Sequence, residues 1–175
     1  MTEQAQYVPG PASGAHVIKG QERWTLILVR ELRHPPEKVW RALTDPAHLH
    51  EWAPFDADGD LGRVGAAVKL TWTGTGQVSQ TTVTRAEAPR VLEFADIRWE
   101  LAPIDAGTRL TLWHTIPQRY VSWGAAGWHI GLDVMDRLLA GDPIGRIAGG
   151  DVTKFEAWRR LVAEYAGQFE NQTDN

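Results

Sequence analysis

The stretch from His34 to Trp52, HPPEKVWRALTDPAHLHEW, decides the fold of this chain because two helices begin within it. Pro35 and Pro36 suit the opening turn of a helix, where a missing backbone N–H costs nothing. Apolar residues follow at helical spacing, namely Val39, Trp40 and Leu43. This half of the segment predicts a short helix with one apolar face.

The second helix of the segment begins after a corner at Asp45. An Asp cap followed by Pro46 at the first helical position is a strong start signal. Leu49 and Trp52 give this helix its apolar edge. The whole segment therefore predicts two short helices in tandem.

Strands flank the two helices on both sides. One precedes them, from about Trp24 to Leu32, where apolar and β-branched residues dominate. Five strands follow, with short turn sequences between them, at 67–73, 77–87, 90–95, 97–103 and 108–116. Connections this short predict an antiparallel meander, because a parallel crossover needs a dozen or more residues. Apolar and polar residues alternate within it, so one face of the sheet needs a covering layer.

Helices in the last third of the chain supply that layer. The first is predicted at about 122–139, and the Gly-Asp-Pro sequence at 141–143 ends it. Gly124, Gly127 and Gly131 cluster along one of its faces, although a glycine costs up to about 1 kcal/mol inside a helix relative to alanine. Either the sheet backbone approaches closely there, or the missing side chains leave space for something else.

A final helix follows a loop at 143–150. We expect it to begin between Asp151 and Thr153, since Thr153 and Glu156 have the spacing of a capping box. Its apolar side consists of Phe155, Trp158, Val162, Tyr165 and Phe169.

Composition indicates one globular domain of 175 residues, with 43% hydrophobic and 23% charged residues. Residues 1–19 are interpreted as a flexible tail or surface strap, 20–169 as the domain and 170–175 as a second tail. No apolar run is long enough for a membrane span and no secretory signal opens the chain, so we expect a cytoplasmic protein. The net charge of -4 disfavours a nucleic-acid partner, and the lack of cysteine excludes disulfides. The excess of Arg over Lys is typical of a GC-rich bacterial genome.

Nine tryptophans are several times the usual share for a chain of this length. They have two interpretations. Tryptophan can supply core volume, and it can also wall an internal ligand cavity.

Three segments together resemble one protein superfamily. PPEKVWRALTDPAHLHEW resembles the entry motif of the SRPBCC superfamily, also called START-like or helix-grip proteins, in the branch of homologues of the activator of the heat-shock-protein-90 ATPase. RLTLWHTIP at 109–117 resembles the last strand of that branch, and GWHIGLDVMDRLLAG at 127–141 resembles the start of its long helix. The resemblance covers roughly Trp24 to Phe169.

The resemblance implies an α+β helix-grip fold, in which a bent antiparallel sheet of about six or seven strands wraps around a long C-terminal helix. A largely apolar cavity would lie between sheet and helix, and the two short helices would form its lid, with Trp52 near the entrance. The residues implied to bind a ligand are Trp52, Leu70, Trp72, Phe94, Trp99, Leu112, His114, Trp128, Leu132 and Met135.

His114 is the one catalytic candidate. It shares strand parity with Leu112, so a neutral imidazole could point into the cavity and orient a ligand or act as a general base. The alternative is a core histidine with a satisfied hydrogen bond, and His129 has the same two interpretations. His48 and His50 point in different directions on a helix and predict no metal site.

No motif for a nucleophile, a phosphate or a dinucleotide appears, so no cofactor is predicted. Glu93, Asp96 and Glu100 lie close in sequence and could form paired carboxylates or remain solvated charges. Without a catalytic constellation, the sequence favours a binding protein over an enzyme.

Three functions are compatible with this fold. The first is a carrier or sensor that binds a hydrophobic, lipid-like or polyketide-like small molecule, as a monomer or a homodimer. The second is an enzyme of the cyclase, dehydratase or hydrolase type that uses His114 with a nearby Arg or carboxylate. The last in rank is a co-chaperone that stimulates a heat-shock ATPase, because the eukaryotic activators carry a further N-terminal domain where this sequence has a short tail.

Overall fold

The backbone forms one antiparallel sheet with helices packed on it, as described by a computed structural model for residues 3–172. The helices are α1 (Glu3–Gln6), α2 (Pro36–Thr44), α3 (Pro46–Trp52), α4 (Val121–Leu139) and α5 (Glu156–Asn171). The strands are β1 (Ala15–Ile18), β2 (Arg23–Leu32), β3 (Phe55–Ala57), β4 (Ala67–Trp72), β5 (Val78–Glu87), β6 (Val91–Phe94), β7 (Ile97–Ile104) and β8 (Gly107–Pro117). Two 3₁₀ turns, Gln118–Tyr120 and Gly149–Lys154, precede α4 and α5.

The tandem helices α2 and α3 form as predicted. The Asp45 carboxylate accepts a hydrogen bond from the backbone N–H of Ala47 at 2.9 Å and caps α3. Val39 and Leu43 are buried in the core. The indole N–H of Trp52 donates to the Ala42 carbonyl at 2.8 Å, which ties the two helices together across the corner.

The sheet has the strand order β1-β2-β8-β7-β6-β5-β4-β3. The predicted meander is confirmed, because β4 to β8 are neighbours in sequence order, and β2 joins it by pairing with β8. The sheet has eight strands, where about six or seven were expected. The two additional strands, β1 and β3, are only four and three residues long, and their pairing with β2 and β4 defines them.

Helix α4 lies over the sheet and contacts β2, α2, α3 and α5. This arrangement confirms the α+β helix-grip fold that the resemblance implied. The predicted alternation also holds, since Val68, Leu70, Trp99 and Leu112 are all buried beneath the helical layer.

The predicted start of the last helix, between Asp151 and Thr153, is wrong. Helix α5 begins at Glu156, with Phe155 at the cap position and no side-chain hydrogen bond there. The hydroxyl of Thr153 instead donates to the Gly150 carbonyl at 2.8 Å, within the 3₁₀ turn. The capping box therefore does not form, because its hydroxyl is used one turn earlier.

The N-terminal segment lies along α5 and enters the sheet. Its strand β1 falls within the stretch interpreted as a tail. The Ala12 N–H donates to the Glu164 carboxylate at 3.0 Å, and the Gln168 amide donates to the Ala12 carbonyl at 2.9 Å. The domain limits stay a prediction, and residues 1–2 and 173–175 lie outside the described part of the chain. No helix within residues 3–172 is both long and apolar enough to cross a membrane.

Candidate functional site

A cavity of about 180 Å³, which we call the inner chamber, lies between α4 and the sheet. Its wall comes from α3, β4, β8, α4 and the turn before α5. The lining residues are Trp52, Pro54, Trp72, His114, Gly124, Gly127, Trp128, Gly131, Ile147, Ala148, Gly149 and Val152. The chamber is therefore almost wholly apolar.

Three glycines of α4 lie on the chamber wall. A Cβ added to Gly127 would meet no atom within 4 Å, and one added to Gly131 would meet only Trp52, at 3.7 Å or more. A Cβ at Gly124 would lie 2.9 Å from the side chain of Ile116. The sheet backbone lies within 4 Å of none of these added Cβ atoms. The second interpretation, open space, therefore describes Gly127 and Gly131, whereas Gly124 makes room for the Ile116 side chain of β8.

Three tryptophans, Trp52, Trp99 and Trp128, pack together beside the chamber. Trp52 and Trp128 lie on its wall with ring centroids 6.3 Å apart, and Trp99 packs against both at 6.3 and 5.4 Å. Trp52 is only 1% exposed, so it lies at the inner end of the chamber and not at an entrance.

His114 extends from β8 into the same wall. Its Nδ1 accepts a hydrogen bond from the indole N–H of Trp128 at 3.0 Å, and the two rings meet edge to face. Burial lowers the pKa of His114 to about 4, so its imidazole is neutral at pH 7. Nε2 has no hydrogen-bond partner among residues 3–172 and is not enclosed by protein, which leaves it open to the chamber.

A second hollow, the outer trough, adjoins the inner chamber and measures about 560 Å³. The two share five wall residues, which are Pro54, Trp72, His114, Gly124 and Gly149. Beyond them the trough is bordered by Tyr120 and Trp123, whose rings lie 5.7 Å apart and are 40% and 52% exposed. The chamber thus shares a wall with an aromatic groove at the surface.

Residues 144–152, which we call the closing segment, contribute Ile147, Ala148, Gly149 and Val152 to the chamber wall. Ile147 is 1% exposed, and Gly149 packs against Gly74 in the β4–β5 turn. Arg146 donates to the Asp56 carboxylate at 2.7 Å. Burial alone would raise the pKa of Asp56, but hydrogen bonds from Arg146 and His50 outweigh it and lower that pKa.

The prediction that the two short helices form the lid of the cavity is therefore wrong. Helices α2 and α3 pack on α4 and the sheet and contribute Trp52 alone to the chamber wall, whereas the closing segment covers its side. The short apolar faces of α2 and α3 pack in the core, so the closing segment covers the cavity instead.

The structure brings four of the ten proposed ligand-binding residues together on the chamber wall: Trp52, Trp72, His114 and Trp128. The other six are buried in the core and do not line the chamber. They are Leu70, Phe94, Trp99, Leu112, Leu132 and Met135. Strand parity identifies an inward side chain, but packing against neighbours decides whether it reaches the cavity.

The closing segment supplied wall residues that sequence reasoning missed. Ile147, Ala148, Gly149 and Val152 fall in or beside a stretch interpreted as a loop. The available signal was the set of three large apolar residues, Ile144, Ile147 and Val152, in a stretch otherwise built of small and polar residues.

His129 lies on another face of α4, away from the chamber, and is 4% exposed. Its Nδ1 contacts the Tyr165 hydroxyl at 2.7 Å and the Arg30 guanidinium at 3.1 Å. Burial and then the charge of Arg30 lower its pKa to about 4. This histidine is a core residue with satisfied hydrogen bonds, as in the second of its two interpretations.

The three carboxylates of the β6–β7 region are surface charges with arginine partners. Asp96 pairs with Arg23 at 2.8 Å, and Glu93 and Glu100 both pair with Arg98. They do not form a carboxylate pair that faces the chamber.

Comparison with protein families gives one match. Residues 33–140 match the family model described as Activator of Hsp90 ATPase homolog 1-like protein, which is more than half of the chain. Comparison with curated proteins gives no match.

Solved structures share the fold. A conserved protein of unknown function from Enterococcus faecalis is 17% identical with a TM-score of 0.66, over 90% of this chain and 91% of that chain. CalU16 from Micromonospora echinospora is 22% identical with a TM-score of 0.63, over 88% and 93%. DynU16, from the dynemicin biosynthetic locus, is 22% identical with a TM-score of 0.60, over 69% and 49%. At these identities the similarity shows the fold alone.

Proposed function

The chain belongs to the family of proteins like activator of Hsp90 ATPase homolog 1. We propose that it uses the helix-grip fold to bind a ligand, and that it holds a hydrophobic small molecule in the inner chamber and outer trough. The observation that carries the proposal is the chamber itself. Gly127 and Gly131 keep it open on one helix face, although each costs stability in a helix. A helix that only needed to cover the sheet would be more stable with alanine at these two positions.

The dimensions limit the ligand. Typical pockets for drug-sized ligands measure roughly 300 to 1,000 Å³, and a dry cavity of about 150 Å³ can hold benzene. The inner chamber of about 180 Å³ fits one ring or a short alkyl branch, and the outer trough has room for the remainder of a larger molecule. A polyketide-like or lipid-like compound combines such a ring or alkyl end with a larger remainder. One structural neighbour comes from the dynemicin biosynthetic locus.

The test uses a variant that fills the chamber. Gly127→Leu places a side chain where no atom lies within 4 Å, while Gly167→Leu makes the same change in α5, away from the chamber and also in open space. We expect benzene, naphthalene and 1-decanol to raise the unfolding temperature of the wild type and of Gly167→Leu, and not of Gly127→Leu. Equal shifts in both variants would place the bound probe outside the chamber and contradict the proposal.

Catalysis and co-chaperone activity stay as alternatives without a supporting observation. A general base at Nε2 of His114 needs its proton on Nδ1, and the Trp128 N–H that points at Nδ1 argues against that tautomer. The family description names an activator of the Hsp90 ATPase, and an ATPase assay with this protein would test a co-chaperone role. The homodimer and the cytoplasmic location stay predictions.

A further inference from the structure

The side-chain hydrogen-bonding groups of the chamber wall are nearly all occupied. The indole N–H groups of the three tryptophans that line the wall all have acceptors: Trp52 donates to Ala42, Trp72 to the Ser79 hydroxyl at 3.4 Å, and Trp128 to His114. Among the side chains that line the chamber, all within the described part of the chain, this leaves Nε2 of His114 as the one polar atom without a protein partner.

The contact with Trp128 determines which nitrogen of His114 carries the proton. An indole N–H can only donate, so Nδ1 of His114 must accept and must be unprotonated. A neutral imidazole then has its single proton on Nε2. The low pKa of His114, caused by burial, keeps the ring in this neutral form at pH 7. Among its side chains, the chamber therefore presents one free N–H donor and no free acceptor.

From this geometry, and resting on the proposed function, we infer that the chamber selects ligands with a carbonyl-type oxygen at the end that enters it. That oxygen accepts a hydrogen bond from Nε2–H of His114, between the rings that line the wall. A hydrocarbon of the same shape leaves the N–H without a partner, and an ammonium group adds a positive charge and further donors where no side-chain acceptor is present.

Three probes of one skeleton separate these cases. Acetophenone carries the carbonyl oxygen, α-methylstyrene replaces it with a methylene group of similar shape, and 1-phenylethylamine carries an ammonium at pH 7. We expect calorimetry with the whole protein to give acetophenone an affinity at least about tenfold higher than α-methylstyrene. Binding of 1-phenylethylamine should be weaker than that of both.

Two variants assign the preference to His114. In His114→Gln the side-chain oxygen can accept from Trp128 while the amide N–H₂ donates into the chamber, so the preference for acetophenone should survive. His114→Leu alone would release the Trp128 N–H as a new donor, so the second variant is the double change His114→Leu/Trp128→Phe, in which acetophenone and α-methylstyrene should bind equally. Nitrogen-15 NMR of His114 in the wild type needs no variant and should show the Nε2–H tautomer from pH 7 to pH 5.

The outcomes separate this inference from the proposed function. Equal affinity for acetophenone and α-methylstyrene in the wild type overturns the selection rule and leaves hydrophobic binding standing. A proton on Nδ1, or a charged ring at pH 7, also overturns it. Failure of both probes to bind removes the proposed function and this inference together.

Discussion

The surroundings of His114 keep its side chain in the neutral form. Burial lowers its pKa and that of His129 to about 4, against an ordinary value of 6.5. Between these pH values the unfolded chain takes up protons that the folded chain does not, so acid favours unfolding. We expect the free energy of unfolding to decrease from about pH 6.5 down to about pH 4, by at most about 1.4 kcal/mol per pH unit for each histidine. Urea unfolding at a series of pH values measures this.

The matched variant for this prediction is His114→Gln, which cannot titrate in the range. Its unfolding free energy should depend less steeply on pH than that of the wild type. The difference in slope should equal the contribution of one histidine, which is at most about 1.4 kcal/mol per pH unit. Burial raises the pKa of Asp133, whose effect on stability has the opposite sign, but Asp133 is present in both proteins and cancels in the difference. Identical slopes would mean that His114 is not buried in its neutral form.

Gly127 shows what a single residue can and cannot reveal at the level of sequence. Its position on a helix was predictable, and so was the energetic cost that demands a reason. Which of the two reasons applied depended on the distance from its backbone to residues far along the chain. The structure leaves more than 4 Å of space around an added Cβ there.

At the level of elements, the closing segment is held by backbone contact and a few side chains. Gly149 has a left-handed φ of +61°, and an added Cβ would lie 2.8 Å from the backbone N of Gly74. We expect Gly149→Ala to displace residues 144–152, because the left-handed conformation alone costs about 1–2 kcal/mol for a non-glycine residue and the clash adds to it. Hydrogen exchange of the amides at 144–152 should become faster, while exchange in the central strands changes little.

Gly150→Ala is the control for this prediction. Gly150 is the next residue, its φ is not left-handed, and a Cβ there meets no atom within 4 Å. Exchange at 144–152 should stay as in the wild type. If both variants exchange alike, the contact between Gly149 and Gly74 does not hold the segment in place.

Some helices and strands are determined by residues within their own segment, and others by contacts with distant parts of the chain. Helices α2 and α3 follow from prolines, an Asp cap and apolar spacing inside a single short stretch. Strand β3 has three residues and no periodicity of its own, and it exists because Phe55 and its neighbours pair with β4. The start of α5 depended on where the Thr153 hydroxyl donates, which spacing alone did not reveal.

At the scale of the whole molecule, the N-terminal segment fastens α5 to the rest of the structure. Arg160 donates to the Pro9 carbonyl at 2.7 Å, and Ala12 exchanges hydrogen bonds with Glu164 and Gln168. Removal of residues 1–13 should lower the free energy of unfolding by on the order of 3 kcal/mol, since each such bond contributes about 0.5–1.5 kcal/mol. Urea unfolding of the truncated and complete proteins measures the difference.

The truncated protein should still bind benzene, because no residue before Trp52 lines the inner chamber. Loss of stability with retained binding supports a strap that stabilises the fold from outside. An unchanged unfolding transition would mean that residues 1–13 behave as a free tail.

The sequence by itself determined the fold class, the tandem helices, the meander and the family, because caps, turns and alternation act over a few residues and three motifs stand in order. Tertiary structure alone decided where the chamber lies, that residues 144–152 close it, and that Nε2 of His114 faces it as a donor. These features depend on side chains from α3, β4, β8 and α4 meeting in space. A sequence specifies what each residue can donate, accept or bury, and only packing decides which partner it finds.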